Sequence, residues 1–569
     1  MITKLRRWWP ELLSAAIIIS LLFWRLDWTG MLGDEAAYAV RSWRWVDFLF
    51  SPYQTTPWQW YNPLPWWVFL SFHDAPPLAF WWQHGALTLF GASTWAARLP
   101  GALAGIGVAA LVYDCLRQTF SRRTAVVGLL ILATLTPFYW LQRTALLEPT
   151  MMLWIMLAIA AFLRAAKQPR WYLAVGAALG LALLTKYTAL FVLPALLIII
   201  IWRRRSALKQ RQVWSGVGLM IILQYPVLLY NLLMYKSRGH ADVQIAALLR
   251  QTNRDWPILS TQVSTSWWQS LVSLGQNVTD LYAWPMIILI ILVLVLLGLK
   301  KVWRQATNYW LLLGLLALGW IVFMLLTRQD ARFIATGYIF VPLLVAPLVT
   351  AWSYQFRWHS LIVVLLLVIS LFYNLQTNYL PQQWGSVRWA YSVFHGRGYG
   401  LLATEHYLAA LTAGHQPDVL LQDDYYRQFD PRVAKEKIFD FTADASVSKE
   451  PVLSDIIIYD QRINWFAEIW YFKRIFYFQR FMVISTRDLV KFHEQFPQEY
   501  LDITSGKNFH YFQITDSDLI DKVAGLDSVN TQAEKLLTAS GETMLPSPTG
   551  QSAFKLYTGV FPVGAVPKP

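Results

Sequence analysis

The chain has 569 residues, of which 56% are hydrophobic and only 14% charged, with a mean hydropathy of +0.37. A soluble domain keeps about a quarter of its residues charged, so this composition excludes an ordinary soluble protein, a disordered chain, a coiled coil and a collagen-like repeat, and leaves an integral membrane protein. Nor does the net charge of +14 mark a nucleic-acid binder: residues 1–380 hold 30 Lys+Arg against 12 Asp+Glu, residues 381–569 hold 18 against 22, and the basic excess therefore lies where it orients helices in a bilayer.

The first 28 residues start basic (Lys4, Arg6, Arg7) and continue apolar like a signal peptide, but Trp24, Arg25 and Asp27 stand where a small-residue cleavage site would be. They read as an uncleaved first span. Stretches apolar enough to cross roughly 30 Å of hydrocarbon follow. With the first, they are 10–28, 98–116, 124–142, 149–165, 171–187, 188–202, 214–234, 283–299, 309–327, 333–352 and 360–377. The expected fold is mainly α, a polytopic membrane protein of about eleven spans, with a range of 11–13. Segment 78–92 is a candidate twelfth span, but an amphipathic helix in the interface fits better, because a span there would invert every later loop.

With the N-terminus inside, 18 of the 30 basic residues of this region fall on the cytoplasmic side, whereas only Glu11 and Asp114 of its 12 acidic residues do. Acidic residues carry little weight in topology, so their segregation points to a site on the outer face. Two outer loops are too long to be plain connectors. The first, about 29–97, is rich in tryptophan; the second, about 235–282, is polar and contains the sequon Asn277-Val278-Thr279.

Residues 1–380 thus read as a transmembrane domain, and 381–569 as a soluble extracytoplasmic α/β domain. Its strand-like runs are Asp455–Asp460, Phe481–Ser485 and Phe509–Ile514, and the end from LPSPTGQ onward reads as loose. Asp423-Asp424 reads as a solvated loop, and WFAEIWYFKRIFYFQRF as a helix packed on the domain or the membrane. With Cys115 the one cysteine, no intrachain disulfide can form.

Just after the first span comes Gly33-Asp34-Glu35. Two adjacent carboxylates at a membrane surface suggest a general base for an acceptor hydroxyl; the competing reading makes Asp34 a helix N-cap. Further on stand His73-Asp74-Ala75-Pro76-Pro77-Leu78, Ala97-Arg98-Leu99-Pro100, Arg143-Thr144-Ala145-Leu146-Leu147-Glu148-Pro149 and Leu184-Thr185-Lys186-Tyr187-Thr188. In this order, over roughly residues 25–380, the set resembles the GT-C glycosyltransferases that use polyprenyl-phosphate sugars, among them the protein O-mannosyltransferases and the aminoarabinose transferases that modify lipid A.

The resemblance implies a glycosyltransferase in the plasma membrane. It would move a sugar, with inversion, from a polyprenyl-phosphate carrier to an acceptor hydroxyl on the extracytoplasmic face. Asp34, followed by Glu35, matches the acidic motif of the first loop, as base or acceptor-orienting group. Asp74 and Glu148 match acidic positions which, in the lipid A branch, bind a divalent metal with a later histidine; His240 is the candidate here, and the O-mannosyltransferases manage without a metal. Where the family often has Lys or His before the prolines, this chain has Ala75, so the carrier phosphate needs other cations. Arg98, Lys186 and Arg332 are the candidates.

Each assignment has a plainer competitor: Arg98 as an interfacial anchor, Lys186 as a boundary charge, His73 and His240 as polar loop groups. No Walker or dinucleotide glycine motif is present, so no nucleotide cofactor is expected. The bilayer, the lipid-linked donor and an acceptor protein, lipid or glycan are the expected partners. The alternative is a multispanning transporter or polymer-export subunit without transferase activity; transporters tend to repeat and to carry mid-membrane charges, which this chain does not.

Overall fold

The computed structural model describes residues 2–563 apart from 32, 46, 48–54, 62, 250, 252–254, 257–266, 283, 297–305, 327–330, 354–356, 381–400, 414–451, 464, 480, 516–525 and 547–551. Asp423-Asp424 lies outside the described residues. The chain divides into two compact units: Met1–Leu26 with Trp66–Val393, and Asp27–Pro65 with Phe394–Pro569. The segment that carries Asp34 and Glu35 therefore groups with the C-terminal part of the chain.

The first unit is helical. Among the described residues, five helices are long and apolar enough to cross a membrane: Thr94–Thr119, Glu148–Ala165, Thr307–Leu325, Arg332–Trp352 and Ser360–Tyr379. Two bent pairs qualify when each is taken together: Arg122–Thr134 with Thr136–Gln142, bent by 69°, and Arg211–Leu223 with Tyr225–Arg238, bent by 47°. Each break falls beside a proline in the first turn of the second helix, Pro137 and Pro226, where the missing N–H is tolerated but the preceding helix cannot continue. Shorter apolar helices cover Trp8–Phe23, Trp171–Thr185 and Tyr187–Arg203. Segment 78–92 forms the helix Leu78–Phe90, whose 13 residues reach about 20 Å, short of a span.

Helix starts follow the chemistry of the cap. Ser93 accepts from the Ala96 N–H at 3.2 Å, and Ser121 accepts from the Thr124 N–H at 3.1 Å. Small residues set the closest packing: a Cβ on Gly176 would stand 1.9 Å from the Gly216 carbonyl oxygen. The helices Trp171–Thr185 and Arg211–Leu223 can touch only because both positions lack a side chain.

The second unit holds a five-stranded sheet in the order β2-β1-β3-β5-β4. Its strands are β1 (Val452–Tyr459), β2 (Phe481–Ser485), β3 (Asn508–Ile514), β4 (Ala539–Pro546) and β5 (Ser552–Val560). Parallel pairing joins β1 to β2 and β3, antiparallel pairing joins β5 to β3 and β4. Ile456, Ile457 and Ile458 of β1 are all buried, as a central parallel strand covered on both faces requires. Beyond its C-terminal end, Asp460 accepts from the Ile514 N–H at 3.1 Å and from Asn530 at 2.8 Å, tying β1 to β3 and to the helix Leu526–Lys535.

One expectation fails here. The end read as loose contains β5, which pairs with β3 along its whole length. The proline- and serine-rich stretch marks a connection between two strands rather than the end of the fold.

Candidate functional site

In the second unit, Asp34 and Glu35 open the helix Asp34–Arg44. Gly33 precedes them with φ 59°, a conformation glycine adopts without a steric penalty, and no side chain caps the helix. The N-cap reading of Asp34 does not hold: Asp34 lies in the first turn, its Oδ2 3.5 Å from the Tyr38 hydroxyl. Glu35 is buried and Asp34 half-buried. The helix packs against the short helix Trp465–Glu468 and the π-helical turn Ile469–Lys473. Just ahead of it, the Met31 N–H donates to the Tyr471 hydroxyl at 2.8 Å. The aromatic segment read as a packed helix is thus the seat of the acidic pair, a function its sequence did not disclose.

In the first unit, three of the expected residues meet. Glu148 begins the helix Glu148–Ala165, and Lys186 follows the end of the helix Trp171–Thr185. The Lys186 ammonium lies 2.5 Å from Glu148 Oε1, with 4% and 0% of the two side chains exposed. Arg332 approaches the same oxygen at 3.8 Å. Both cations lie over the Phe333 ring, each 4.7 Å from its centroid. Glu148 Oε2 has no hydrogen-bond partner among the described residues. Two cations thus share one buried carboxylate oxygen and one aromatic face.

A second cluster adjoins it through the next residue along. The Tyr187 hydroxyl donates to Asp242 at 2.6 Å, and Asp242 also caps the helix Val243–Leu248 through the Ile245 N–H. Burial pushes the Asp242 carboxyl above its ordinary value despite these bonds. From there the loop after the helix Tyr225–Arg238 is laid on the His73-Asp74 motif. The Val243 N–H donates to the His73 carbonyl at 2.8 Å, and the Gln244 amide to the Asp74 carbonyl at 2.6 Å. The Trp256 ring stacks on His73 and meets His240 edge-on. Asp255 accepts from Arg238 and pairs with His240 Nε2 at 2.8 Å. Burial raises the Asp255 carboxyl, but the bonds from His240 and Arg238 outweigh it and hold it below the ordinary carboxylate value.

The three residues named for a metal are not gathered in this arrangement. Both ring nitrogens of His240 face acceptors, the Ala241 carbonyl and Asp255, each at 2.8 Å. Glu148 is paired with cations, and among the described residues no group of three His, Cys, Asp or Glu is close enough to share an ion. These donors do not fit a metal as they stand, and no chemical step below is routed through one.

Arg98 lies elsewhere, fully buried, with Nη1 donating to the Leu26 carbonyl at 3.0 Å. Arg143 donates to the Leu21 and Arg25 carbonyls, both at 2.7 Å, with its guanidinium 4.3 Å above the Tyr379 ring. Together they satisfy the carbonyls that the first helix, Ile2–Phe23, and the turn after it leave open. The sequence marked Arg143 within a motif but gave it no task.

Residues 74–230 match the family of dolichyl-phosphate-mannose-protein mannosyltransferases. The candidate mannosyltransferase YycA of Bacillus subtilis is 34% identical over 142 residues, which are 24% of this chain and 21% of YycA. The undecaprenyl phosphate-alpha-4-amino-4-deoxy-L-arabinose arabinosyl transferase of Erwinia tasmaniensis is 29% identical over 153 residues, 25% of this chain and 27% of that protein. The chain thus spans about a fifth to a quarter of the length of these relatives. In fold the likeness extends further: the crystal structure of ArnT from Cupriavidus metallidurans bound to undecaprenyl phosphate covers 96% of this chain and 97% of its own, with a TM-score of 0.51 at 15% identity. The resemblance to GT-C glycosyltransferases read from the ordered motifs is borne out.

Proposed function

We propose that this integral membrane protein is a glycosyltransferase that takes a sugar from a polyprenyl-phosphate carrier and gives it to an acceptor hydroxyl, with inversion. The observation that carries this reading is the buried Lys186–Glu148 pair, both members inside the segment that matches the mannosyltransferase family, with Arg332 from later in the chain beside it. The site lies on the extracytoplasmic face of the plasma membrane, the N-terminus in the cytoplasm and the C-terminal α/β domain outside.

A sugar on a lipid phosphate is already activated, because the lipid phosphate leaves as a stable monoester anion. Lys186 and Arg332 hold that phosphate and take up the charge that grows as the bond from the anomeric carbon to the phosphate oxygen breaks. Glu148 aims the lysine while occupying only one of its three donors. The base that takes the proton of the attacking acceptor hydroxyl is assigned to Asp34, followed by Glu35, on the resemblance of its motif. Charge is conserved: one proton reaches Asp34, one glycosidic bond forms, and one sugar-phosphate bond breaks. Inversion follows from the single displacement.

The test is transfer by purified protein in nanodiscs supplied with labelled polyprenyl-phosphate sugars, with carrier consumption as the readout. Asp34→Asn is expected to lower turnover by about a hundredfold to ten-thousandfold, the range for loss of a general base. A chelator arm reads metal dependence directly. Well-folded protein that consumes no carrier sugar with any acceptor overturns the reading and favours a transporter.

A further inference from the structure

A second charged feature lies at the other end of the Glu148–Ala165 helix, about 25 Å along its axis from Glu148. Here a cavity of about 700 Å³ opens among the last turn of the helix Thr94–Thr119, the segment 163–171, Arg204 and the start of the helix Thr307–Leu326. Its chemistry comes from Gln118, Arg164, Lys167, Trp171, Arg204 and Asn308. Among the described residues, three cations line it and no carboxylate does.

The two arginines are held in place. Arg164 is paired with Asp114 and lies 4.7 Å from the centroid of the Trp171 ring. Arg204 donates to the Phe162 carbonyl at 2.9 Å, its guanidinium 4.5 Å from the Phe162 ring. Each guanidinium has five N–H donors, so fixing it by one edge aims it without using it up. Lys167 is exposed and adds a mobile charge. The Ala306 carbonyl accepts from the Tyr309 and Trp310 N–H groups, so Thr307 and Asn308 contribute the first N–H groups of a helix, where an anion is favoured.

Fixed forks, a mobile ammonium and amide donors around one concavity make a receptor for a tetrahedral oxyanion. The volume falls in the range of small-ligand sites, and the cavity lies where apolar helices end. We propose that this cavity binds a phosphate-bearing ligand, either the head group of an anionic phospholipid or a soluble phosphate. The inference does not rest on the glycosyltransferase reading.

The experiment uses the full chain purified in a neutral detergent. One arm offers phosphatidylglycerol against phosphatidylcholine and counts retained lipids by native mass spectrometry; the other adds inorganic phosphate and follows thermal stability. Wild type is expected to retain phosphatidylglycerol preferentially if a lipid is the source, or to be stabilised by phosphate alone if the source is soluble. Lys167→Gln with Arg204→Gln should weaken either response about tenfold, since each cation contributes several-fold. Lys209→Gln with Arg211→Gln, exposed and outside the cavity, should leave it unchanged. Lys167→Gln alone removes an exposed side chain and covers the case in which the double variant misfolds. No response in either arm, or equal weakening by the Lys209/Arg211 pair, overturns the proposal.

Discussion

Taking a lysine and a glutamate out of water costs several kcal/mol per ion, so a pair as buried as Lys186–Glu148 survives only if something repays it. Stability and function make different demands here. Lys186→Met should cost about 3–5 kcal/mol by stranding Glu148, and Lys186→Met with Glu148→Leu should recover most of it. If the pair serves transfer, the double variant melts near wild type yet consumes no carrier sugar; an active double variant would show the pair to be structural. Asp255 makes a separate prediction. Its folded pKa lies below the unfolded value of about 3.9, so its contribution is complete above that value and fades as pH falls through the folded one. Hydrogen-exchange protection over 238–249, corrected for the intrinsic pH dependence of amide exchange, should therefore lose Asp255's contribution only as pH falls below about 4. The chain's motifs led to Asp34, Glu148, Lys186 and Arg332 because each stands in a short recognisable run. Phe333, Asp255 and Arg143 escaped, since what they do depends on partners far away in sequence: Asp255 looks like any loop acid until Arg238 and His240 fold over it.

Hydropathy located the helical elements, and the prolines at 137 and 226 explain where two of them break. Their packing was less legible, because glycine is frequent in such helices and only the fold tells which glycines touch. At Gly176 the neighbour is backbone, not a side chain that could swing away. Gly176→Val should force the two helices apart and lower the melting temperature by several degrees, while Gly218→Val, where a Cβ meets nothing within 4 Å, should be nearly silent. In the sheet, β1 to β3 announced themselves by apolar runs. The strand β4, largely exposed and holding glycine and proline, did not, because it pairs at an edge where such residues are tolerated. The π-helical turn was invisible to periodicity for a similar reason: one aromatic run suits either winding. Tyr471→Phe should strand the Met31 N–H and loosen the approach to Asp34. A fall in kcat of several-fold to tenfold, with KM for the carrier unchanged, is the expected result; a changed KM alone would assign Tyr471 to donor binding.

At the scale of the molecule, the proposed orientation is open to direct labelling. Cys115 is the one cysteine and is buried, so the background is silent. Lys209→Cys should resist a membrane-impermeant maleimide on intact cells and Lys535→Cys should react, both positions being exposed; the opposite pattern would invert the topology. Charge distribution suggests this orientation, but it could not reveal that residues 27–65 leave their sequence neighbours and cluster with the C-terminal part. That interleaving has a consequence for how the protein comes into being. The Met31–Tyr471 bond joins residues 440 apart, so the stretch bearing Asp34 leaves the ribosome roughly 20 to 90 s before its seat exists, at the usual 5–20 residues per second. A nascent or truncated chain can insert its early helices but cannot settle its acidic pair. The proposed activity is thereby withheld until Tyr471 and the segment around it have been made.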